Sequence, residues 1–331
     1  MKEKTYKREE MFLSPYAKKS ADTIGRLKDE RACPMRTDFQ RDRDRIIHCK
    51  SFRRLKNKTQ VFFSPEGDHY RTRLTHTLSV SQVARSIARA LSLNEDLTEA
   101  IALGHDLGHT PFGHSGERIL NKLNPKGFKH NLQSGRVVDY LENDGKGLNL
   151  TREVVDGIIN HKLKCTPSTL EGKAVSLADR IAYLNHDIDD AIEGGFIKIK
   201  DLPKEVITTL GKTSSERINT MVMSIFKASD GKNKVEMEKH VSDATNELRE
   251  FMFNRVYAAG HFRAEEERAD RMISALYEFY MTNTEFLPEF YLSQLRKNDK
   301  DTVICDYISS MSDTYAIKEF NEIFVPNKWE L

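Results

Sequence analysis

The sequence has few cysteines and no long apolar run. Its four cysteines, Cys33, Cys49, Cys165 and Cys305, form no CxxC pair and are sparse for 331 residues. This argues against a disulfide framework and indicates free thiols in a reducing compartment. No apolar stretch approaches the roughly 18 residues of a membrane span, and no apolar h-region follows the charged start "MKEKTYKREE". We therefore expect a cytoplasmic protein with no membrane segment and no secretory signal.

A strong overall charge is also lacking, because the formal net charge is only +2. The charge is unevenly spread, however, since residues 1–56 hold 17 Lys/Arg against 9 Asp/Glu and the remainder carries a net −6. A basic leading segment is suited to phosphates of nucleotides or nucleic acid. A solvated or intersubunit surface explains the same surplus equally well.

Strand patterns are scarce. Only 59–73, "TQVFFSPEGDHYRTR", alternates loosely, and its Ser-Pro-Glu-Gly centre indicates a turn in a small hairpin or an ordered loop. Apolar residues elsewhere recur at helical spacing, which predicts helices over the segments 39–57, 76–93, 94–109, 150–163 and 174–193 and several more after 201. The fold class is therefore all-α. We expect a single helical domain over 1–331, divided into a basic arm and helix (1–58), a catalytic core (59–200) and a C-terminal helical extension (201–331).

The stretch 104–114, "GHDLGHTPFGH", crowds histidines and an aspartate between glycines. Histidine is the commonest metal ligand and the usual acid or base near neutral pH. If the helix runs to 109, His105 and His109 share one face, as in the HExxH helix of zinc proteases. Asp106 is shorter than the glutamate of that motif, and Gly108 and Pro111 end the helix at once. A protease is therefore disfavoured.

A metal site with ligands from several helices explains the cluster better. His105 and Asp106 point about 100° apart on a helix, so both can reach a metal in an adjoining groove. His76 starts one further helix and Asp179 lies on another. Two imidazoles and two carboxylates favour Mn, Mg or Fe, with Zn or Ni as alternatives. Satisfied core or surface residues are the competing explanation, although apolar helices should not bury such groups without a partner.

These residues resemble the H…HD…D signature of the HD-superfamily metal phosphohydrolases. Within it, the sequence is similar to the dGTPase-like deoxynucleoside triphosphate triphosphohydrolases over roughly residues 35–195. The motifs that carry the resemblance are "KTQVFFSPEGDHYRTRLTHTLSVSQVARSIARAL", "EAIALGHDLGHTPFGHSGERIL", "GFKHNLQSGRVV" and "LADRIAYLNHDIDD". The resemblance implies an HD-domain helical fold and hydrolysis of a dNTP to deoxynucleoside and inorganic triphosphate.

The resemblance also implies roles for further residues. His114 matches the family's catalytic histidine, and Glu117, one helical turn on, matches its carboxylate partner. His130 matches a further active-site histidine, and His109 matches one that lies against the phosphates. We expect His161 to be a structural residue or to support the site without binding metal, although HD proteins with two metals use extra histidines.

Substrate binding is implied in the same way. Arg73 and Arg180 are placed to meet phosphates beside the metal. Gln60, Tyr183 and Asp187 match positions that meet the deoxyribose, with Tyr183 packing where a 2′-hydroxyl would clash. Surface ion pairing is the alternative for the arginines, ordinary core packing for Tyr183, and a charge on the helix surface for Asp187.

One departure from the family concerns substrate range. Asp106 and Asp179 are only 73 positions apart, whereas the larger enterobacterial type carries an insertion there. We therefore expect a broader dNTP range than dGTP alone. Relatives are often hexamers or tetramers that bind activating dNTPs between subunits, and some bind single-stranded nucleic acid. The arginines suited to either purpose are Arg41, Arg43, Arg45, Arg53 and Arg54.

Two other functions remain open from the sequence. The first is an HD phosphohydrolase that acts on other nucleotides, although the "HTPFGHSGE" and "GFKHNLQS" segments disfavour it. The second is a nucleotide-sensing protein that binds nucleic acid through its basic arm, a role that salt-dependent retention on single-stranded DNA would reveal.

Overall fold

Helices dominate the chain. The computed structural model describes residues 1–60, 71–258, 260 and 263–326, and among these no regular β-sheet occurs. Two isolated antiparallel bridges pair Arg26 with Thr151 and Thr59 with Thr72. The second bridge joins the ends of the predicted hairpin, whose residues 61–70 lie outside the described part. The predicted all-α fold class is confirmed.

The helices are numbered in chain order. They are α1 (Lys2–Phe12), α2 (Asp38–His48), α3 (Lys50–Arg54), α4 (Arg73–Ala90), α5 (Glu95–Gly104), α6 (Gly113–Leu123), α7 (His130–Arg136), α8 (Glu142–Gly145), α9 (Arg152–Ile159), α10 (Leu170–Glu193), α11 (Lys204–Leu210), α12 (Ser214–Ser229), α13 (Lys239–Met252), α14 (Arg263–Thr282), α15 (Glu289–Gln294), α16 (Lys300–Ser310) and α17 (Asp313–Phe324). Short π turns extend two of them, at Val137–Leu141 and Phe253–Tyr257. None of the described helices is both long and apolar enough to cross a membrane.

The helices predicted over 39–57 and 94–109 end earlier than their apolar pattern suggests, and so does the helix predicted over 150–163, which ends at Ile159. The segment 39–57 breaks at Cys49, whose extended backbone separates α2 from α3. The segment 94–109 begins as predicted, with the Asn94 side chain accepting from Leu97 N, but α5 ends at Gly104. Residues 105–108 form a turn instead. His105 and His109 therefore do not share a helix face. The helical arrangement that an HExxH motif requires is not formed by these two residues.

The chain divides into two compact units. The first unit comprises the described parts of Met1–His48, His76–His105 and Leu148–His261. Its central helix is α10, which packs against α5, α9, α12 and α13, while α2 packs on α5. Buried carboxylates hold the N-terminal segment: Asp42 accepts from Thr151 and Arg26, and Glu153 accepts from Thr23 and Ile24.

The second unit comprises the described parts of Cys49–Thr75, Asp106–Gly147 and Phe262–Leu331. Here α14 packs against α6, α16 and α17 around an apolar core that includes Leu120, Ile273, Leu276 and Ile304. The helices predicted after residue 201 are present in both units. The single domain over 1–331, and its division after residues 58 and 200, remain predictions.

Candidate active site

Three of the four predicted metal ligands meet in the first unit. His76 comes from the first turn of α4, His105 directly follows α5, and Asp179 lies in the middle of α10. The Nε2 atoms of His76 and His105 lie 3.1 and 3.8 Å from Asp179 Oδ1. Both histidines are buried. The fourth predicted ligand, Asp106, belongs to the second unit and is bonded to His105 by the peptide bond between them.

Hydrogen bonds orient the ring of His105. Its Nδ1 lies 2.7 Å from the carbonyl of Ala102, and a carbonyl only accepts, so the proton is on Nδ1. His161 repeats the arrangement with the carbonyl of Ile158 at 2.8 Å. This leaves the lone pair on Nε2, and a hydrogen bond from the other ring nitrogen to a carbonyl is a common way to orient a histidine for metal binding. The two rings are 5.1 Å apart, edge to face. His161 thus lies beside a predicted metal ligand.

Asp179 is an ionised carboxylate. Burial raises its pKa, but the hydrogen bond with His76 and the electrostatic interactions with His105 and His76 lower it to about 2. The second nitrogen of His76, Nδ1, is buried and has no hydrogen-bond partner among the described residues. An anionic oxygen facing two imidazoles is a donor set that a divalent cation fits.

The second unit places Asp106 between an arginine and a histidine. Arg73 Nη1 donates to Asp106 Oδ2 at 2.5 Å, and His130 Nε2 lies 3.8 Å from Asp106 Oδ1. Arg73 also donates to the carbonyl of Gln60 at 2.9 Å. The Oε1 atom of Gln60 is buried without a hydrogen-bond partner among the described residues. Arg73 and Gln60, both predicted to bind substrate, therefore lie together.

Glu117 lies between two histidines. Its carboxylate accepts from His130 Nδ1 at 2.7 Å and from His130 N at 3.0 Å, while His114 Nδ1 is 3.6 Å away. The predicted His114–Glu117 neighbourhood is present, but the shorter bond goes to His130. His130 stacks on His109 with ring centroids 4.4 Å apart. His114 is 70% exposed at its side chain, whereas His109 and His130 are buried.

The environment sets the charges of this cluster. Burial raises the pKa of Glu117, but the interactions of its carboxylate with His114 and His130 outweigh burial and hold the pKa well below the usual range. Burial and the nearby charges of Arg73 and His130 push the pKa of His109 well below its usual value. Glu117 is therefore ionised and His109 neutral near pH 7.

Ligand atoms in the second unit also lie close enough for metal binding. Those of Asp106, His109 and His130 are within 4.8 Å of one another, as are those of His109, His114 and Glu117. Buried histidine and aspartate groups that can hold a divalent metal are thus present in the described chain.

The three predicted substrate residues on α10 follow one face of the helix. Arg180 donates to Asn246 Oδ1 at 2.6 Å, and burial raises the pKa of Tyr183 to about 12. Asp187 is buried and accepts a hydrogen bond from Tyr257 OH. Sequence reasoning missed Tyr257, which lies in the π turn after α13.

The arginines of the basic arm are largely paired within the first unit. Arg41 and Arg45 each lie 2.8 Å from Glu30, and Arg43 pairs with Asp44 and Asp96. In the second unit, Arg54 donates to Ser51 Oγ. Arg41, Arg43 and Arg45 therefore form ion pairs inside the protein, most of them with carboxylates of the same N-terminal segment.

Comparison with known proteins defines the class of this site. Residues 73–184 match the HD domain, and residues 235–322 match the phosphohydrolase-associated domain. The fold and the His/Asp cluster are therefore those of an HD phosphohydrolase. A solved phosphohydrolase from Bacteroides thetaiotaomicron has a similar fold, with a TM-score of 0.54, 18% identity, and coverage of 85% of this chain and 68% of that one.

Sequence relatives narrow the class to one family. The chain is 55% identical to a deoxyguanosinetriphosphate triphosphohydrolase-like protein of Caldanaerobacter subterraneus, over 99% of this chain and 97% of the relative. A protein of the same description from Clostridium tetani is 48% identical over 96% of this chain and 94% of that one. The chain belongs to the deoxyguanosinetriphosphate triphosphohydrolase-like family.

Proposed function

We propose that this protein is a metal-dependent hydrolase that converts dNTPs, dGTP among them, to deoxynucleoside and inorganic triphosphate. The observation that carries the proposal is the Glu117–His130–His109 cluster, with His114 at its exposed edge, in the same unit as Asp106 and Arg73. The descriptions of the relatives support the triphosphate substrate. Water adds to the α-phosphorus, the bond to the 5′-oxygen breaks, and that oxygen takes up a proton.

We assign the metal to His76, His105, Asp106 and Asp179. A divalent cation bound there would activate water and polarise the phosphoryl group. The contact of Asp179 with both histidines and its low pKa support this ligand set. Mn, Mg and Fe suit the mixed imidazole and carboxylate donors, with Zn and Ni as alternatives.

The proton for the 5′-oxygen comes from the histidine pair around Glu117. His114 is the acid, because its side chain is the exposed member of the cluster and its Nδ1 faces the carboxylate. Glu117 stabilises the protonated imidazole, and His130 holds Glu117 in place through its two hydrogen bonds. A positioned acid of this kind contributes typically 10²–10⁴-fold to the rate.

The remaining assigned residues bind the substrate. Arg73 and Arg180 pair with phosphate oxygens, and neutral His109 lies against the phosphates without adding charge. Gln60, Tyr183 and Asp187 bind the deoxyribose, with Asp187 accepting from the 3′-hydroxyl. The carboxylate of Asp187 is already oriented by Tyr257 OH, which supports this role.

The proposal also covers the cellular compartment, the oligomeric state and the activation of the enzyme. It acts in the cytoplasm as a homo-oligomer, a hexamer or a tetramer, with dNTP activators bound between subunits. Binding of single-stranded nucleic acid is the weaker part of this extension, because Arg41, Arg43 and Arg45 already have carboxylate partners.

The test incubates purified protein with Mn²⁺ and each dNTP, alone and mixed, and separates the products by anion-exchange chromatography. We expect deoxynucleoside plus intact triphosphate, loss of turnover with EDTA, and loss in His114→Ala. His240→Ala is the matched control, because His240 is an exposed histidine on α13 with no assigned role. Turnover only in mixtures would reveal activation. Monophosphate plus pyrophosphate, or no turnover of any dNTP, would refute the proposal.

A further inference from the structure

The loop 109–112 carries one candidate site residue, His109, and leads directly to another, His114. It ends in an unusual backbone conformation, since Phe112 has φ of 58° and Gly113 has φ of 56°. A bulky residue in the left-handed region is uncommon and persists only where its surroundings hold it there. Phe112 is also the N-cap of α6, where its phenyl side chain has no atom that could accept a capping hydrogen bond.

Asp313, the first residue of α17, provides a partner for this loop. Its Oδ1 accepts from Phe112 N at 3.0 Å, although 201 positions separate the two residues. Its Oδ2 accepts from Thr59 N at 2.8 Å and from the Thr59 hydroxyl. One carboxylate therefore ties the loop before His114 to the residue that precedes Gln60.

Lys58 holds the other end of the loop. Its Nζ donates to the carbonyl of His109 and, at 2.7 Å, to the carbonyl of Ser309. The side chain is only 2% exposed, so these carbonyls replace its water. Burial, together with the nearby charges of Arg54 and Arg73, lowers its pKa well below the usual value. Lys58 is placed to bind backbone, because it is buried from solvent and both of these acceptors are carbonyl oxygens.

We infer that Asp313 and Lys58 are positioning residues that hold the backbone of residues 109–112, and with it the imidazoles of His109 and His114. The phosphohydrolase-associated region, which contains Ser309 and Asp313, thereby supports the candidate site by two long-range contacts. The expected effect on catalysis rests on the proposed function. The positioning of residues 109–112 does not rest on it, because that positioning follows from the hydrogen bonds alone.

The test compares Asp313→Asn with wild type in two measurements. Asparagine keeps one carbonyl oxygen, but its amide cannot accept, so one side of the bridge is lost. We expect faster hydrogen exchange in a peptide covering 109–112 and a fall in kcat of about 10- to 100-fold with KM changed less than about threefold, since small misplacements of reacting groups are costly. Asp299→Asn is the matched control, because Asp299 caps α16 through Thr302 N in the same unit. It should change neither quantity.

The outcomes separate positioning from plain stability. Unchanged exchange in the loop overturns the inference, and so does faster exchange with unchanged kcat. If wild-type protein hydrolyses no dNTP, the proposed function fails, and loop exchange alone then supports or overturns the hold on residues 109–112. Thr59→Val keeps the test available if Asp313→Asn does not fold. It removes only the hydroxyl bond to Asp313 and should give the same effects at smaller size.

Discussion

At the scale of single residues, Glu117 is held by contacts with two histidines of the candidate site. It accepts two bonds from His130 and faces His114, and these contacts hold its pKa well below the usual range. In Glu117→Gln the amide nitrogen cannot accept from His130 Nδ1, and no negative charge faces His114. We expect kcat to fall about 10²- to 10³-fold with little change in KM. Steady-state kinetics at pH 7 with saturating Mn²⁺ measure this.

The same change at an exposed position is the control. Glu278→Gln alters a solvent-exposed carboxylate on α14, in the same unit, and should keep wild-type kinetics. Wild-type kcat in Glu117→Gln would mean that the acid does not depend on this carboxylate.

At the scale of elements, Gly108 sets how closely the turn after α5 approaches α7. Its N–H donates to Ser134 Oγ at 2.9 Å, and an added Cβ would lie 2.2 Å from Ser134 N. Since α7 begins with His130, a side chain at 108 would push this histidine away from Asp106. We expect Gly108→Ala to lose roughly 1–3 kcal/mol of unfolding free energy and most of kcat. Denaturant unfolding and kinetics measure the two effects.

A variant at a second glycine distinguishes the effect of the steric clash from the effect of backbone strain. An added Cβ at Gly195 meets nothing within 4 Å, although φ there is +74°. Gly195→Ala should therefore lose only about 1–2 kcal/mol, the cost of left-handed backbone, and keep full kcat. Equal loss of kcat in both variants would contradict the role given to Gly108.

At the scale of the whole molecule, a buried carboxylate makes stability depend on pH. Glu171, at the start of α10, accepts from Lys18 N and Asn94 N, while its Oε2 has no hydrogen-bond partner among the described residues. Burial raises its pKa to about 7. Between its unfolded pKa and about pH 7, the folded state binds the extra proton, so stability falls as pH rises, by on the order of 3 kcal/mol in full.

Glu171→Gln should remove this slope. The amide carbonyl can still accept from both N–H groups, and no charge has to be buried at high pH. We expect the unfolding free energy of the variant to decline less than that of wild type between pH 5 and 8, as measured by urea unfolding. Glu3→Gln, at an exposed position on α1, should follow wild type. Parallel curves for Glu171→Gln and wild type would contradict the assignment.

The candidate site could be predicted from the sequence where its signals are local. The His105–Asp106 pair, the spacing of His114 and Glu117, and the face shared by Asp179, Tyr183 and Asp187 are all readable within a few turns of chain. The all-α class followed from apolar periodicity for the same reason. The resemblance to the triphosphohydrolases added roles that periodicity does not contain.

Contacts between distant segments were decided only by the tertiary structure. The bond of Glu117 to His130 spans 13 positions, that of Asp187 to Tyr257 spans 70, and that of Phe112 to Asp313 spans 201. Lys58 lies among basic residues that suggest a solvent-exposed surface, yet it is buried. Periodicity and caps encode which face of a helix is apolar and where it begins. They do not encode which loop a buried lysine or aspartate will meet, because packing of remote helices determines that.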